Sequence, residues 1–159
     1  MIKLLCLILL ISSLAGKEET FLFPDQKSEW ENHILLHLRK NPEQIVVVTD
    51  TFDIPKLKKP LLKTLQRGSS FDLILQNPNG VSSWAQYANV TLRVYPSRPL
   101  RSSVLILKDH TACLIGGSLS ETVLKDSSVM ALCSDDPAFI HSLYDTILPL
   151  YKRSSPYLE

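Results

Sequence analysis

Short aliphatic segments recur along the chain, and their spacing limits the available folds more than any other feature. The run Gln44–Thr49 is mostly β-branched, which is typical of a strand buried on both faces of a sheet. Further runs predict strands over residues 71–76, 90–95, 104–107, 111–115 and 128–133. Because helical segments separate several of these runs, the sequence predicts an α/β domain with a mixed, mostly parallel sheet flanked by helices on both faces.

Capping residues and prolines indicate where the helices begin and end. Ser28 and Glu31 have the spacing of a capping box, which predicts the start of a first helix. A second helix is predicted to begin at Pro55 and the last one at Pro137, because proline is favoured in the first helical turn. We expect Pro149 to end the last helix, since proline removes a backbone hydrogen bond inside a helix.

Residues 1–15 have the pattern of a secretory signal peptide. Lys3 provides a positive start, an apolar stretch follows, and Ser13 and Ala15 are the small residues that a signal peptidase inspects. The apolar stretch is shorter than the roughly 20 residues that span a bilayer. We therefore expect cleavage to leave residues 16–159 as one exported domain, periplasmic or secreted, without an integral membrane span. An uncleaved anchor is the alternative.

The charges of the predicted mature chain are balanced. Without Lys3, the chain has 16 basic residues and 16 acidic ones. General binding to nucleic acid depends on an excess of Lys and Arg, so this domain would need a local basic patch to bind a polyanion. A solvated helix face is the more usual explanation for the one cluster near the second helix, which comprises Lys56, Lys58, Lys59, Lys63 and Arg67.

The segment from Arg101 to Ser118 carries the most specific pattern. Asp109 is followed, after six residues, by Gly116, Gly117 and Ser118. This frame resembles the catalytic motif of the phospholipase D-like superfamily, which reads His-x-Lys, four residues, Asp, six residues, Gly-Ser. With Asp109 on the motif's Asp, Ser102 occupies the His position and Val104 the Lys position. A register shifted by one residue also lacks the His.

The resemblance extends over nearly the whole chain after residue 15. Phe23-Pro24 is similar to the opening segment of the family, and Arg67-Gly68 before an aliphatic strand is similar to its Arg-Gly stretch. The order of strands and helices also matches a single domain of the superfamily, in particular its short, exported, nuclease-like members. The resemblance therefore implies a phospholipase D-like domain with a degenerate catalytic motif.

The family's chemistry requires residues that this chain lacks. In the family a His attacks phosphorus, an Asp orients that His, Lys residues hold the phosphate oxygens, and a second domain's His protonates the leaving oxygen. We therefore expect a non-catalytic pseudoenzyme, acting as a binding or regulatory partner, with no cofactor and no metal. The alternative is a divergent phosphodiesterase of nuclease or phospholipase type. Ser102 as its nucleophile would need an adjacent base, and the sequence identifies none.

The resemblance also implies partners. Single-domain members of the family form two-fold dimers in which the motifs meet across the interface. We therefore expect a homodimer, or a heterodimer with an intact paralogue, and a phosphodiester compound is the ligand that the motif implies.

Two cysteines and two histidines are further candidates. The resemblance places Cys113 and Cys133 in neighbouring strands, so one interpretation is a disulfide and the other is two buried free thiols. His33 and His37 are four residues apart and share a helix face. A metal site needs a third ligand, so packing or surface histidines are the simpler interpretation.

Overall fold

Strands and helices alternate in the first half of the chain, and strands dominate the second half. The computed structural model describes residues 16–157, so the predicted signal peptide lies outside the described residues. In chain order the elements are β1 (Glu18–Leu22), α1 (Lys27–Leu38), β2 (Gln44–Thr49), β3 (Phe52–Asp53), α2 (Pro55–Gln66), β4 (Ser70–Leu75), a 3₁₀ turn (Ser82–Trp84), β5 (Val90–Val94), β6 (Ser103–Leu107), β7 (Thr111–Ile115), β8 (Leu119–Ser120), α3 (Glu121–Asp126), β9 (Met130–Ser134), α4 (Pro137–Arg153) and β10 (Ser155–Pro156).

The main sheet is mixed, as predicted, but the prediction that it is mostly parallel is wrong. Its strand order is β1-β9-β7-β6-β2-β4-β5-β10. The pairs β2–β4 and β4–β5 are parallel, and the other five pairs are antiparallel. The connections explain the difference, because parallel neighbours need a crossover such as α2, whereas β6 and β7 form a hairpin. Strands β3 and β8 form a separate, short parallel pair.

Helices cover both faces of the sheet, which confirms that part of the prediction. Alternate residues of β2 point to opposite faces, so Ile45 and Val47 belong to one hydrophobic layer and Val46 and Val48 to the other. The first layer packs under α1, α2 and α3, and the second packs under α4. Two buried layers around one sheet therefore make the scaffold that positions the loops at the strand ends.

The predicted capping box at the start of α1 is wrong. The helix begins at Lys27, and no side chain caps its first turn. The side chain of Glu31, which in a capping box accepts the backbone N–H at the start of the helix, is instead turned into the interior, where it is 2% exposed. It forms ion pairs with Lys27 at 2.5 Å and with Lys56 at 3.0 Å. Ion pairing to α2 has therefore replaced a local contact with the helix backbone.

Two further helix boundaries differ from the prediction. Helix α4 passes through Pro149 and continues to Arg153, so Pro149 does not end it. Proline costs one hydrogen bond there, and the last turn still carries basic residues that favour a helix carboxyl terminus. Helix α3 is not predicted by the sequence patterns, although Ser120 caps it by accepting the Val123 N–H at 3.3 Å. Within residues 16–157, no helix is long and apolar enough to cross a membrane.

Candidate functional site

The candidate site lies where the three parallel strands end. Strands β2, β4 and β5 have their carboxyl ends at one edge of the sheet, and the antiparallel β6 begins at the same edge. We call this the motif edge, since it holds Ser102 and Ser103. The opposite edge, with the Lys108–His110 loop between β6 and β7, is the hairpin edge. Ligands of open α/β sheets bind outside the carboxyl ends of parallel strands, so a ligand site in this sheet is expected at the motif edge.

The structure brings most of the predicted motif residues together at this edge. Ser103 pairs with Ile115, so Gly116, Gly117 and Ser118 continue from β7 beside Ser102. The Ser102 side chain is exposed and makes no hydrogen bond within the described residues. Val104 is only 7% exposed and packs in the layer under α4. The position that resembles the family's Lys is therefore part of the hydrophobic core.

Asp109 lies apart from the other motif residues. It occupies the loop at the hairpin edge, where it is exposed and has a φ of 62°. The five residues of β6 separate it from Ser102 by roughly 17 Å, at about 3.3 Å per residue. Asp109 is therefore too far from Ser102 to orient a group at that position.

Sequence patterns did not predict the hydroxyl network at the motif edge. The Ser103 hydroxyl lies 2.6 Å from the Gly117 carbonyl oxygen and 2.7 Å from Thr49 Oγ1. Thr49 Oγ1 also accepts the Leu119 N–H at 3.0 Å and donates to the Thr51 carbonyl at 3.1 Å. Thr49 and Ser103 are 0% and 1% exposed. The only sequence signal was that Thr49 follows one aliphatic run and Ser103 precedes another. This signal did not reveal that the two side chains face each other.

Gly117 is required by close packing at the same place. A Cβ atom at this position would lie 3.0 Å from Val123 Cγ1 and 3.1 Å from Val129 Cγ1. At Gly116 the nearest atom would be the Met130 carbonyl oxygen at 3.6 Å, which is an ordinary contact. The Gly-Ser turn therefore lets the chain approach α3 closely while the Gly117 carbonyl oxygen remains available to Ser103.

All four histidines of the sequence lie away from the motif edge. His110 is in the loop of the hairpin edge, and His33 Nε2 lies 3.3 Å from Thr111 Oγ1 at the adjoining end of β7. The His37 ring packs on the His33 ring, with 4.7 Å between centroids. His141 lines a cleft near Asp109 at the hairpin edge. The motif edge therefore has no imidazole.

The two histidines of α1 are packed, and desolvation affects both. Burial lowers the pKa of His33 below its usual value. Burial, aided by electrostatic repulsion from the neighbouring His33, Lys40 and His110, lowers the pKa of His37 to about 4. Both imidazoles are therefore held neutral at physiological pH. Below them, Cys113 and Cys133 are joined by a disulfide between β7 and β9.

Two groups of exposed cations are relevant to a polyanionic ligand. Arg98 and Arg101, in the loop that leads into β6 at the motif edge, are exposed and have no ion pair within residues 16–157. Of the cluster predicted near the second helix, Lys56 pairs with Glu31. Another part of that cluster, together with residues of α1, lines a groove of about 370 Å³ that includes Arg39, Lys59, Lys63 and Arg67.

No protein-family model and no curated protein matches the sequence. Solved structures do match the fold. NucT from Helicobacter pylori superposes with a TM-score of 0.77 at 14% identity, over 89% of this chain and 99% of that chain. Nuc from Salmonella typhimurium, a phospholipase D family member, gives 0.73 at 16% identity, over 91% and 99%. Phosphatidylserine synthase from Haemophilus influenzae gives 0.68 at 11% identity, over 89% and 40%. The described chain, with its mixed sheet, covering helices and glycine turn, therefore has the phospholipase D-like fold.

Proposed function

We propose that this chain is an exported, non-catalytic phospholipase D-like domain that binds a phosphodiester ligand at the motif edge without cleaving it. The observation that carries the proposal is the closed hydroxyl network of Thr49, Ser103 and Gly117. Phosphoryl transfer through a covalent intermediate needs an exposed nucleophile and a base beside it. Ser103 is 1% exposed and its single proton is already engaged, whereas the exposed Ser102 has no imidazole beside it, because the histidines lie elsewhere.

The missing cation supports the same conclusion. Charge that develops on phosphorus is stabilised by ammonium or guanidinium groups held at fixed positions. Val104 supplies no charge, and it is buried under α4. A Lys at that position would carry its ammonium group into a hydrophobic layer, which costs free energy unless the charge is paired.

Binding is assigned to the arginines in the loop that leads into β6. Arg98 and Arg101 are exposed at the carboxyl ends of the parallel strands, and no described carboxylate neutralises them. Planar guanidinium groups bind phosphate oxygens in pairs. The hydrogen bond from the Leu100 N–H to Gln76 Oε1, at 2.8 Å, ties this loop to the end of β4. Two cations on a tethered loop can therefore contact the phosphate oxygens of a phosphodiester ligand at a fixed place.

A second copy of the chain is proposed as the partner. Leu22, Leu114, Met130 and Leu132 are between 37% and 59% exposed. They form two cross-strand pairs on the face of β1, β9 and β7 that α4 leaves open. This aliphatic surface adjoins the motif edge, since the Gly116 N–H donates to the Met130 carbonyl at 2.8 Å. A two-fold axis would place this aliphatic surface of one copy on the same surface of the other copy, and an uncharged surface allows this without repulsion between like charges.

The experiment measures binding and cleavage separately. Purified protein is mixed with fluorescently labelled single-stranded DNA, or with phospholipid vesicles, with and without chelator, and products are separated by gel or chromatography. We expect binding to the DNA by anisotropy and no cleavage of either compound. The double substitution Arg98→Ala and Arg101→Ala should weaken binding and reduce the slope of log K against log salt by about 1 to 2.

A matched control removes two cations from the opposite edge. Arg39→Ala with Lys40→Ala changes the net charge equally at the carboxyl end of α1 and should leave binding unchanged. Cleavage that Ser102→Ala abolishes would overturn the non-catalytic proposal. For the partner, light scattering should give a dimer that Leu132→Lys converts to a monomer. If the wild type is monomeric alone and dimerises only with an intact paralogue, the partner is that paralogue and the proposal of a second copy is wrong.

A further inference from the structure

The candidate lies in the hydrophobic layer under α1, away from the motif edge. Cys113 on β7 and Cys133 on β9 are direct partners in the sheet, and both are 0% exposed. His33 projects over them from α1. One ring nitrogen of His33 and the two sulfur atoms all lie within 4.8 Å of one another. The two sulfur atoms are the additional ligands that a metal site at His33 and His37 needs.

We propose that reduction of the Cys113–Cys133 disulfide converts this cluster into a binding site for Zn²⁺, with His37 as the fourth ligand. Thiolate and imidazole are the ligands that Zn²⁺ prefers, and structural sites with two Cys and two His are closed and tetrahedral. A complex of Zn²⁺ with two thiolates and two neutral imidazoles has no net charge. It therefore avoids the cost of placing an uncompensated charge in a buried layer.

A second, independent observation points to a ligand beside His33. His37 is 6% exposed, and its Nδ1 atom is buried without a hydrogen-bond partner within the described residues. Such an atom loses its hydration on folding and gains nothing in exchange. Its ring lies against the ring of His33, with 4.7 Å between centroids, so His37 adjoins the cluster formed by His33 and the two sulfur atoms. Coordination would satisfy the unpaired atom.

The surroundings of His33 match those of a metal ligand. Its Nδ1 lies 3.3 Å from Glu19 Oε2, so an Nδ1–H donated to this carboxylate leaves the Nε2 lone pair for the metal. Ligating histidines usually donate their other N–H to a carboxylate or carbonyl in this way. Thr111 Oγ1 is near Nε2, but its one proton can instead go to the Ser134 carbonyl at 3.2 Å. The lone pair can therefore be freed without breaking the network.

The redox step balances with a dithiol as the reductant. A dithiol reductant donates two electrons and two protons, the Cys113–Cys133 bond breaks into two thiols, and the reductant becomes a disulfide. Zn²⁺ then displaces the two thiol protons to the solvent. The same thiols are present before the disulfide first forms, so the reduced chain can also load the metal directly. Formation of the disulfide would release the metal again.

The test uses Co²⁺ as a spectroscopic probe and Zn²⁺ as its competitor. Metal-free protein is prepared in reduced and oxidised forms and titrated with Co²⁺ under anaerobic conditions. We expect one Co²⁺ per reduced chain, with sulfur-to-metal charge-transfer and tetrahedral d–d bands that Zn²⁺ abolishes. The oxidised chain should show no bands. Cys113→Ser should weaken the charge-transfer band, because only the Cys133 thiolate remains, and His33→Ala and His37→Ala should each weaken Co²⁺ affinity at least about tenfold.

His141→Ala is the matched control, because this exposed histidine of α4 is remote from the cluster and should leave the titration unchanged. Since a core variant can fail to fold, the melting temperature of the reduced wild type is measured as well, and Zn²⁺ should raise it only in the reduced form. A reduced wild type without charge-transfer bands would overturn the proposal. The proposal would also be overturned if His33→Ala and His37→Ala both remain folded and both bind Co²⁺ as tightly as the wild type.

Discussion

Removing the buried carboxylate of Glu31 should destabilise the domain by about 3 kcal/mol. Lys27, whose side chain is 15% exposed, would keep only Glu121 as a partner, at 3.2 Å. Breaking one side of a buried ion pair costs about 3 to 5 kcal/mol, because a charge is left without compensation. The lower end applies to Glu31→Ala, since Lys27 retains Glu121 and the Lys56 side chain is 44% exposed and can turn to water.

Replacing both Lys27 and Glu31 by apolar residues distinguishes the free-energy cost of an unpaired buried charge from the net contribution of the ion pair to stability. In Lys27→Met with Glu31→Leu no charge is left unpaired in the layer, and Glu121 keeps Lys125 at 2.8 Å. Such replacements are often neutral or stabilising, because the desolvation of two charges is avoided. We therefore expect the double variant to recover most of the free energy of unfolding that Glu31→Ala loses.

Urea unfolding followed by far-ultraviolet circular dichroism measures both values. The slope m should not change, so differences in the midpoint report stability alone. The Glu31→Ala loss should also survive high salt, because buried pairs are screened less than exposed ones. A loss below about 1 kcal/mol for Glu31→Ala would mean that water reaches the carboxylate. A double variant as unstable as Glu31→Ala would refute the assignment of the cost to an unpaired Lys27.

Three further outcomes are expected. Gly117→Ala should lower the free energy of unfolding by about 1 to 3 kcal/mol through overpacking against two valines, whereas Gly116→Ala should change it little; equal effects in thermal unfolding would contradict this. Burial, with the charges of nearby carboxylates, raises the pKa of Tyr144 to about 12, so stability should fall as pH rises above 10, where the unfolded chain ionises first. Tyr144→Phe should flatten that part of the pH profile of urea unfolding, and an unchanged profile would refute it. Asp109→Gly should stabilise the hairpin by about 0.5 kcal/mol and leave DNA binding unchanged, since its φ of 62° favours glycine; weaker binding in an anisotropy titration would place Asp109 in the site.

The aliphatic runs predicted the strands well because each run is buried along its own length. The runs at β2 and β7 have the observed bounds, and the others differ by a few residues at their ends. The direction of each strand was harder to predict from the sequence, since it depends on the path of the segment that connects it to the preceding strand. The loop between Val94 and Ser103 has no helix, and β6 therefore lies antiparallel to β2. The burial of a strand can be predicted from its own residues, whereas its pairing partner and direction depend on residues far away in the sequence.

The candidate site was predictable only in part for the same reason. Motif spacing placed Ser102 near Gly116, because both flank one hairpin. The same spacing treated Asp109 as part of the site, although a whole strand lies between them. Thr49 and Ser103 are 54 residues apart, and only the register of β2 with β6 brings their hydroxyls to 2.7 Å. Cys113 and His33 are likewise brought together by the packing of α1 on the sheet.

The two ends of the β6–β7 hairpin differ in chemistry. At the motif edge every hydroxyl of Thr49, Ser103 and Ser118 has a partner, and none of the four histidines lies there. Towards the hairpin edge lie imidazoles with lowered pKa values and a buried nitrogen without a partner. Perturbed and unsatisfied groups cluster at functional sites, whereas satisfied networks are usually structural. The satisfied hydroxyls at the motif edge therefore resemble a structural network, whereas the unsatisfied nitrogen of His37 lies towards the other end of the same hairpin.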